Sequence, residues 1–201
     1  MATFGFDERR VLPALRLLPY DRLVLLGGRD SFRAPGFGRL KSLEPSLQAV
    51  TVDPFDFGSC LTAACRAFHE ASAGDVRASV SGGTKILADA TLLAAFQEGV
   101  EAWYFDPEPV RLPVLRGVRI HDVLGPADQT VAAILTGPMT AETVLAAAGR
   151  RGVSRAHGRR ALRRLRAGGF LEARLEGGEP VLRPSPLLEA YRVHLGEAPK
   201  G

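Results

Sequence analysis

The residues of this chain whose order suggests chemistry begin at Ser81-Gly82-Gly83-Thr84-Lys85. Two glycines let the backbone bend sharply and approach a ligand, while Ser81, Thr84 and the first amides of a following helix aim donors at one spot. Lys85 adds a full positive charge there; it is one of only three lysines, with Lys41 and Lys200, in a chain that otherwise uses arginine. The implied chemistry is recognition of an anion, phosphate first among them. A plain helix N-cap and connecting turn use the same residue types, so both readings stand on this stretch alone. The order is neither Gly-x-x-x-x-Gly-Lys-[Ser/Thr] nor Gly-x-Gly-x-x-Gly, which weakens the two commonest nucleotide assignments.

A second chemistry lies between Ser154 and Ala167, a helical run with no acidic residue. Gly158, Ala161, Leu162 and Leu165 recur at helical spacing and predict a core stripe, leaving Arg155, Arg159, Arg163 and Arg166 opposite, flanked by Arg160 and Arg164. Like charges at i, i+4 repel, so such a face costs stability unless a polyanion neutralises it. Duplex DNA is the expected partner, through Arg155, Arg159, Arg160 and Arg163, with Arg174 and Arg183 on a following hairpin adding phosphate contacts; a merely solvated face is the bland alternative. The planar arginine fork suits both phosphate and the guanine edge. Residues 1–125 carry 14 basic and 15 acidic side chains, and residues 126–201 carry 12 and 7, so the positive charge sits in the smaller C-terminal part.

No catalytic or metal-binding residue stands out. His69, His121, His157 and His194 are scattered at no triad or metal spacing, and Cys60 and Cys65, five apart on one helix, read as small core residues. The chain has 201 residues, 46% hydrophobic and 24% charged, enough for one large or two small globular domains. No apolar run reaches the roughly 20 residues of a membrane helix. A cytoplasmic protein in a reducing compartment is expected.

The elements that position these residues follow from the hydrophobic pattern. Strands are expected at 2–6, 23–26 (stopped by Gly27-Gly28), 49–52, 76–80 and, last, 101–105. Helical patterns fall between them: Val11 to Leu18, Cys60 to Phe68 with Asp56 as N-cap, and Ile86 to Phe96. The stretch 29–39 reads as a mobile loop. Strands alternating with helices, without strict polar alternation, predict an α/β fold: a Rossmann-like, mostly parallel sheet with helices on both faces. Ligands in such sheets bind outside the carboxyl ends of the strands. The segments 6–9, 53–56 and 81–85 all follow strands and share that edge.

Residues 106–124 are expected as an irregular connection, closing a first domain at 1–124. From 125 to 201 the pattern changes to helices at 128–135, 140–148 (N-cap Thr140) and 154–167 (N-cap Ser154), two strands around Gly177-Gly178, and a last helix at 186–195. Three helices and a hairpin, joined by Leu165-x-x-x-Gly169-Phe170-Leu171, are the order of a winged helix-turn-helix domain.

The strand, Ser-Gly-Gly-Thr-Lys turn and helix resemble the signature of CARF domains, the CRISPR-associated Rossmann-like sensors of antiviral defence. Gly5-Phe6-Asp7-Glu8 and Asp53-Pro54-Phe55-Asp56-Phe57 resemble the Csa-type members, in which a CARF domain precedes a winged helix. The resemblance implies a homodimeric transcription regulator with no cofactor, not an enzyme, that takes a cyclic oligoadenylate, cyclic tetra-adenylate foremost, across a twofold axis and binds CRISPR-locus promoter DNA. It places the ligand's phosphates at Gly82, Gly83, Thr84 and Lys85, beside the donor expected at Ser81, and its riboses or bases near Phe6, Asp7 and Asp56. Two alternatives remain. One is a nuclease, either the helical ribonuclease type whose Arg-x(4 to 6)-His spacing Arg151 and His157 fit, or one that cleaves the ring itself. The other is a repressor sensing an ordinary phosphorylated metabolite.

Overall fold

The computed structural model describes residues 1–195 apart from 72, 107, 114 and 116–118, and divides into two units, Met1–Arg116 and Gly117–Gly201. Parts of the connection expected at 106–124 therefore lie outside the described residues.

In the first unit β1 (Ala2–Phe4), β2 (Val24–Gly28), β3 (Gln48–Val52), β4 (Arg77–Ser79) and β5 (Glu101–Phe105) run parallel. A sixth strand, β6 (Pro109–Arg111), returns antiparallel along β5. The order is β3-β2-β1-β4-β5-β6, so the chain changes direction across the sheet after β3. Parallel crossovers are right-handed, which puts α1 (Leu12–Leu17) and α2 (Pro35–Leu43) on one face and α3 (Phe57–Ala71) and α4 (Lys85–Glu98) on the other. The mixed α/β unit with a mostly parallel sheet agrees with the alternation in the sequence. On the α1–α2 face Phe4 meets Phe32 and Phe37, each with ring centroids 6.1 Å away, over Val11, Leu25 and Leu40. Asp56 caps α3 as expected, accepting from the Ser59 amide at 3.1 Å. Cys60 and Cys65 are both buried, and desolvation raises their thiols to about 11 and about 12.

Three expectations for this unit are corrected. Gly27 and Gly28, expected to stop β2, are its last two residues. A Cβ on Gly27 would stand 2.8 Å from the Phe4 carbonyl oxygen, so glycine here serves close packing rather than a turn. The stretch 29–39 is no loop: a 3-10 turn at Ser31–Arg33 leads into α2, whose first residue, Pro35, has the backbone angle a helix start requires. Nor is β5 the last strand, because β6 follows within the stretch expected to be irregular.

The second unit contains α5 (Ile120–Val123), α6 (Pro126–Ile134), α7 (Ala141–Arg150), α8 (Arg155–Ala167) and α9 (Pro186–Ala190). Its strands are β7 (Met139–Thr140), β8 (Leu171–Glu176) and β9 (Glu179–Pro184), ordered β7-β9-β8. Thr140 and Ser154 cap α7 and α8 as expected, each accepting from the amide three residues on. Gly177 and Gly178 turn the β8–β9 hairpin at φ of +58° and +87°, angles that strain any other residue. The helix expected at 186–195 stops at Ala190 and gives way to a 3-10 turn, Arg192–His194. Neither α5 nor β7 has a counterpart in the sequence reading, and Ile120 and Leu124, from the expected connection, are buried with Val131, Leu135, Ala161, Leu165 and Leu188 in this unit's core. No helix among the described residues is long and apolar enough to cross a membrane.

One buried ionic group ties α6 to α8. Asp128, 2% exposed, accepts from the Gly125 amide at 3.1 Å and from Arg164 Nε and Nη2 at 3.0 and 2.7 Å. Arg164 is thereby withdrawn from the arginine face of α8. Asp128→Ala is expected to lower the unfolding free energy by about 2 kcal/mol through loss of the cap and the pair, read from denaturant unfolding.

Candidate functional site

Parallel strands leave their following loops at one edge, and at the point where strand order reverses, between β1 and β4, the loops diverge and leave a crevice. A cavity of about 800 Å³ opens there. Its lining comes from all five parallel strands: Gly5, Phe6 and Asp7 after β1, Gly28 and Arg29 at the end of β2, Asp53, Pro54 and Phe55 after β3, Ser81 to Thr84 after β4, and Tyr104 and Asp106 at the end of β5. A second cavity, of about 620 Å³, lies at the opposite strand ends around Met1, Leu23 and Arg77. That end carries none of the singled-out loops.

The turn after β4 is held against β1. The Gly82 amide donates to Thr3 Oγ1 at 3.2 Å, and a Cβ on Gly82 would sit 2.4 Å from the Thr3 carbonyl oxygen. Gly83 adopts φ +78°. Thr84 caps α4: its hydroxyl accepts from the Leu87 amide at 3.1 Å and donates to the Pro54 carbonyl at 2.5 Å, which joins the β3 and β4 loops. Ser81 Oγ accepts from the Phe105 amide at 2.7 Å. Both hydroxyls, expected as donors to a ligand, are therefore committed to the loops themselves. The donors left at this spot are amides. Those of Lys85 and Ile86, in the first turn of α4, have no intrahelical acceptor, and among the described residues those of Gly83 and Thr84 meet none either.

The structure thus brings Phe6, Asp7, Ser81, Gly82, Gly83 and Thr84 to one cavity, whereas Asp56 and Lys85 are not among its lining residues. Asp56 is occupied as the α3 cap, and Lys85 extends outward, 88% exposed, with Nζ 3.4 Å from Asp89 one helical turn on. Residues that the sequence reading passed over also line the cavity: Arg10, Arg29, Tyr104 and Asp106. Arg29, Tyr104 and Asp106 lie at or just beyond the ends of β2 and β5, so counting those two strand ends with the other three on the ligand edge is the signal that would have found them.

The cavity's carboxylates are all engaged. Asp7 accepts from Arg9 through side chain and backbone, and these hydrogen bonds hold its carboxyl below the usual range. Arg10 reaches Asp106 at 2.5 Å, Asp30 faces Arg33 at 3.7 Å, and Asp53 accepts from the Phe55 amide at 3.0 Å. Glu8, just behind Asp7, pairs with Arg39 on α2 at 2.6 Å and packs where Gly36 has no side chain, fixing the loop that carries Phe6.

On the second unit the α8 arginines 155, 159, 160, 163 and 166 are exposed. Arg155 pairs with Glu142 of α7 at 2.5 Å, and Arg174 with Glu172 at 2.8 Å. Among the described residues Arg159, Arg160, Arg163 and Arg166 have no carboxylate within ion-pair distance. His157 is bound through Nδ1 to the Ser154 hydroxyl at 2.7 Å.

No family model matches the chain, and no curated protein matches it. Solved structures do. Protein VC1899 from Vibrio cholerae aligns at 10% identity and a TM-score of 0.48, over 95% of this chain and 63% of that one. Can2 from Sulfobacillus thermosulfidooxidans, in complex with cyclic tetra-adenylate, aligns at 14% identity and a TM-score of 0.44, over 95% of this chain and 62% of that one. The chain spans less than two thirds of either structure. At scores below 0.5 neither likeness says what this chain binds.

The Arg39 guanidinium hydrogen-bonded to Glu8 holds that carboxyl below its ordinary 4.5. The pair is therefore intact above that pH and is lost as pH falls through the lowered value. Carboxyl NMR titration is expected to show Glu8 titrating below 4.5 and returning toward it in Arg39→Ala.

Proposed function

We propose that this chain is a CRISPR-associated transcription regulator. Its first unit is a CARF-type sensor that pairs with a second copy and takes a cyclic oligoadenylate, preferably cyclic tetra-adenylate. Its second unit is a winged helix that binds duplex DNA at a CRISPR-locus promoter. The observation that carries the reading is the face of α8, where Arg159, Arg160, Arg163 and Arg166 are exposed without a carboxylate partner among the described residues. Residues of one sign at i, i+3 and i+4 repel, and a helix keeps them where a polyanion supplies the missing charge. The helix is followed by the β8–β9 hairpin, in the order recognition helix, then wing.

The sensing half is supported by the cavity at the β1–β4 switch point. It combines unpaired amides at the start of α4, suited to phosphate, with exposed Phe6 and Phe55, suited to nucleobases. A ring with twofold-compatible symmetry touches the same loops on two copies, so its affinity depends on how the copies are set. Regulation then requires that the ligand bind the DNA-competent and DNA-incompetent arrangements unequally.

The test is a salt-controlled anisotropy titration of duplex promoter DNA beside calorimetry with cyclic tetra-adenylate. Arg159→Ala is expected to weaken DNA binding roughly tenfold or more and lower the salt slope by about one, leaving ligand affinity unchanged. Saturating ligand is expected to change DNA affinity by the same factor as saturating DNA changes ligand affinity. Chromatography after long incubation is expected to return the ring intact, which separates a sensor from a ring-cleaving nuclease. Binding of neither DNA nor ring by the wild-type protein would remove the proposal.

A further inference from the structure

The charges that line the strand-end cavity differ in how far they are committed. Its four aspartates each have a partner, and Arg10 is spent on Asp106. Among the described residues, Arg29 is the one cavity-lining cation with no carboxylate within ion-pair distance. Lys85, the cation to which the sequence assigns the phosphate, is turned outward toward Asp89.

What stands beside Arg29 gives its charge a chemical meaning. The ends of β2 and β3 are in register, Gly28 opposite Val52, and a Cβ on Gly28 would meet Pro54 Cγ at 3.0 Å. With Gly28 and the Pro54 ring this close at adjacent strand ends, Arg29 and Phe55, the next residue of each loop, both line the cavity. Phe55 is 74% exposed, the second most exposed of the large apolar side chains among the described residues. Burial in the core does not explain a phenyl ring left in water. A free guanidinium beside an uncovered aromatic face is a combination that takes one nucleotide unit, the fork on phosphate oxygens and the ring against the base.

We propose that Arg29 and Phe55 form a nucleotide subsite on the β2–β3 wall, with Arg29 gripping a phosphate and Phe55 stacking a base. Arg29, not Lys85, then supplies the principal charge contact to the ligand. The subsite rests on reading the cavity as a cyclic oligoadenylate site. It adds two residues to that site and moves the cationic contact from the α4 side to the opposite loops, while the α4 amides hold phosphate by dipole and hydrogen bond alone.

The experiment is calorimetric titration of the full chain with cyclic tetra-adenylate at low and high salt, for the wild type and for Arg29→Gln, Phe55→Ala and Lys85→Ala. Arg29→Gln is expected to weaken binding roughly ten- to a hundredfold and to flatten its salt dependence. Phe55→Ala is expected to weaken it about fivefold or more with the salt dependence unchanged, and Lys85→Ala to stay within about twofold. All three side chains are exposed, so circular dichroism and thermal melting are expected to match wild type. If the wild type binds and Lys85→Ala carries the loss while Arg29→Gln and Phe55→Ala bind normally, the subsite is wrong and the cavity reading stands. If the wild type takes up no ring at all, the cavity reading falls and the subsite with it.

Discussion

The constraint on which the first unit depends is the contact of Gly82 with β1. No other residue fits, because a Cβ would lie 2.4 Å from the Thr3 carbonyl oxygen, inside any real contact distance. The contact is then hydrogen-bonded on both sides, Gly82 donating to Thr3 Oγ1 and Thr3 Oγ1 donating to the Ser79 carbonyl. Gly5 and Gly83 continue the same close approach, with a Cβ on Gly5 falling 3.2 Å from the Gly83 backbone. The neighbouring strands β1 and β4 are thereby bound together at their ends, where their loops diverge. The start of α4 is held over the crevice between them, and Thr84, reaching back to Pro54, fastens the β3 loop to the same point.

The two units handle charge in opposite ways. Around the cavity, acidic and basic side chains are matched locally, mostly within two or three residues of each other, as in Asp7 with Arg9 and Asp30 with Arg33. Such pairs are exposed and screened by water, so they set local charge more than stability. On α8 the balance is withheld. Among the described residues only Arg155 and Arg164 find carboxylates, from α7 and α6, and both partners lie on neighbouring helices rather than on α8 itself. Each remaining like-charge pair one turn apart costs a few tenths of a kcal/mol. Ala161 and Leu165, packed with the Gly158–Leu145 contact, offset that cost and keep the helix in place.

Much of this was legible in the sequence because local rules and tertiary structure agree. Strand–helix alternation, the caps at Asp56, Thr140 and Ser154, the Gly177-Gly178 turn and the core stripe of α8 each follow from a few adjacent residues. The misreadings share a physical cause. Gly27 and Gly28 look like a stop signal, but their lack of side chain serves neighbours distant in sequence, Phe4 and Pro54. Proline and glycine between 29 and 39 suggest a loop, yet Pro35 begins a helix whose Gly36 makes room for Glu8. The hydroxyls of Ser81 and Thr84 were legible as donors, whereas their acceptors and partners, at Phe105, Pro54 and Leu87, are set by the fold. Residue type identified the cavity's loops; which atoms remain uncommitted is a property of packing.

That distinction bears on how the polyanionic ring proposed above would enter a cavity lined with four aspartates. At 4 Å in water two unit charges interact by about 1 kcal/mol, so four unneutralised carboxylates would oppose a phosphate appreciably. Arg9, Arg10 and Arg33 reduce that opposition, and the Phe55 amide holds Asp53 turned into its own loop. The pairs are exposed, so they tune the charge of the cavity more than the stability of the fold. The pair of Arg10 with Asp106 lies one residue beyond the Phe105 amide held by Ser81. The end of β5, where the chain turns back as β6, is therefore bonded on both sides by residues of the cavity.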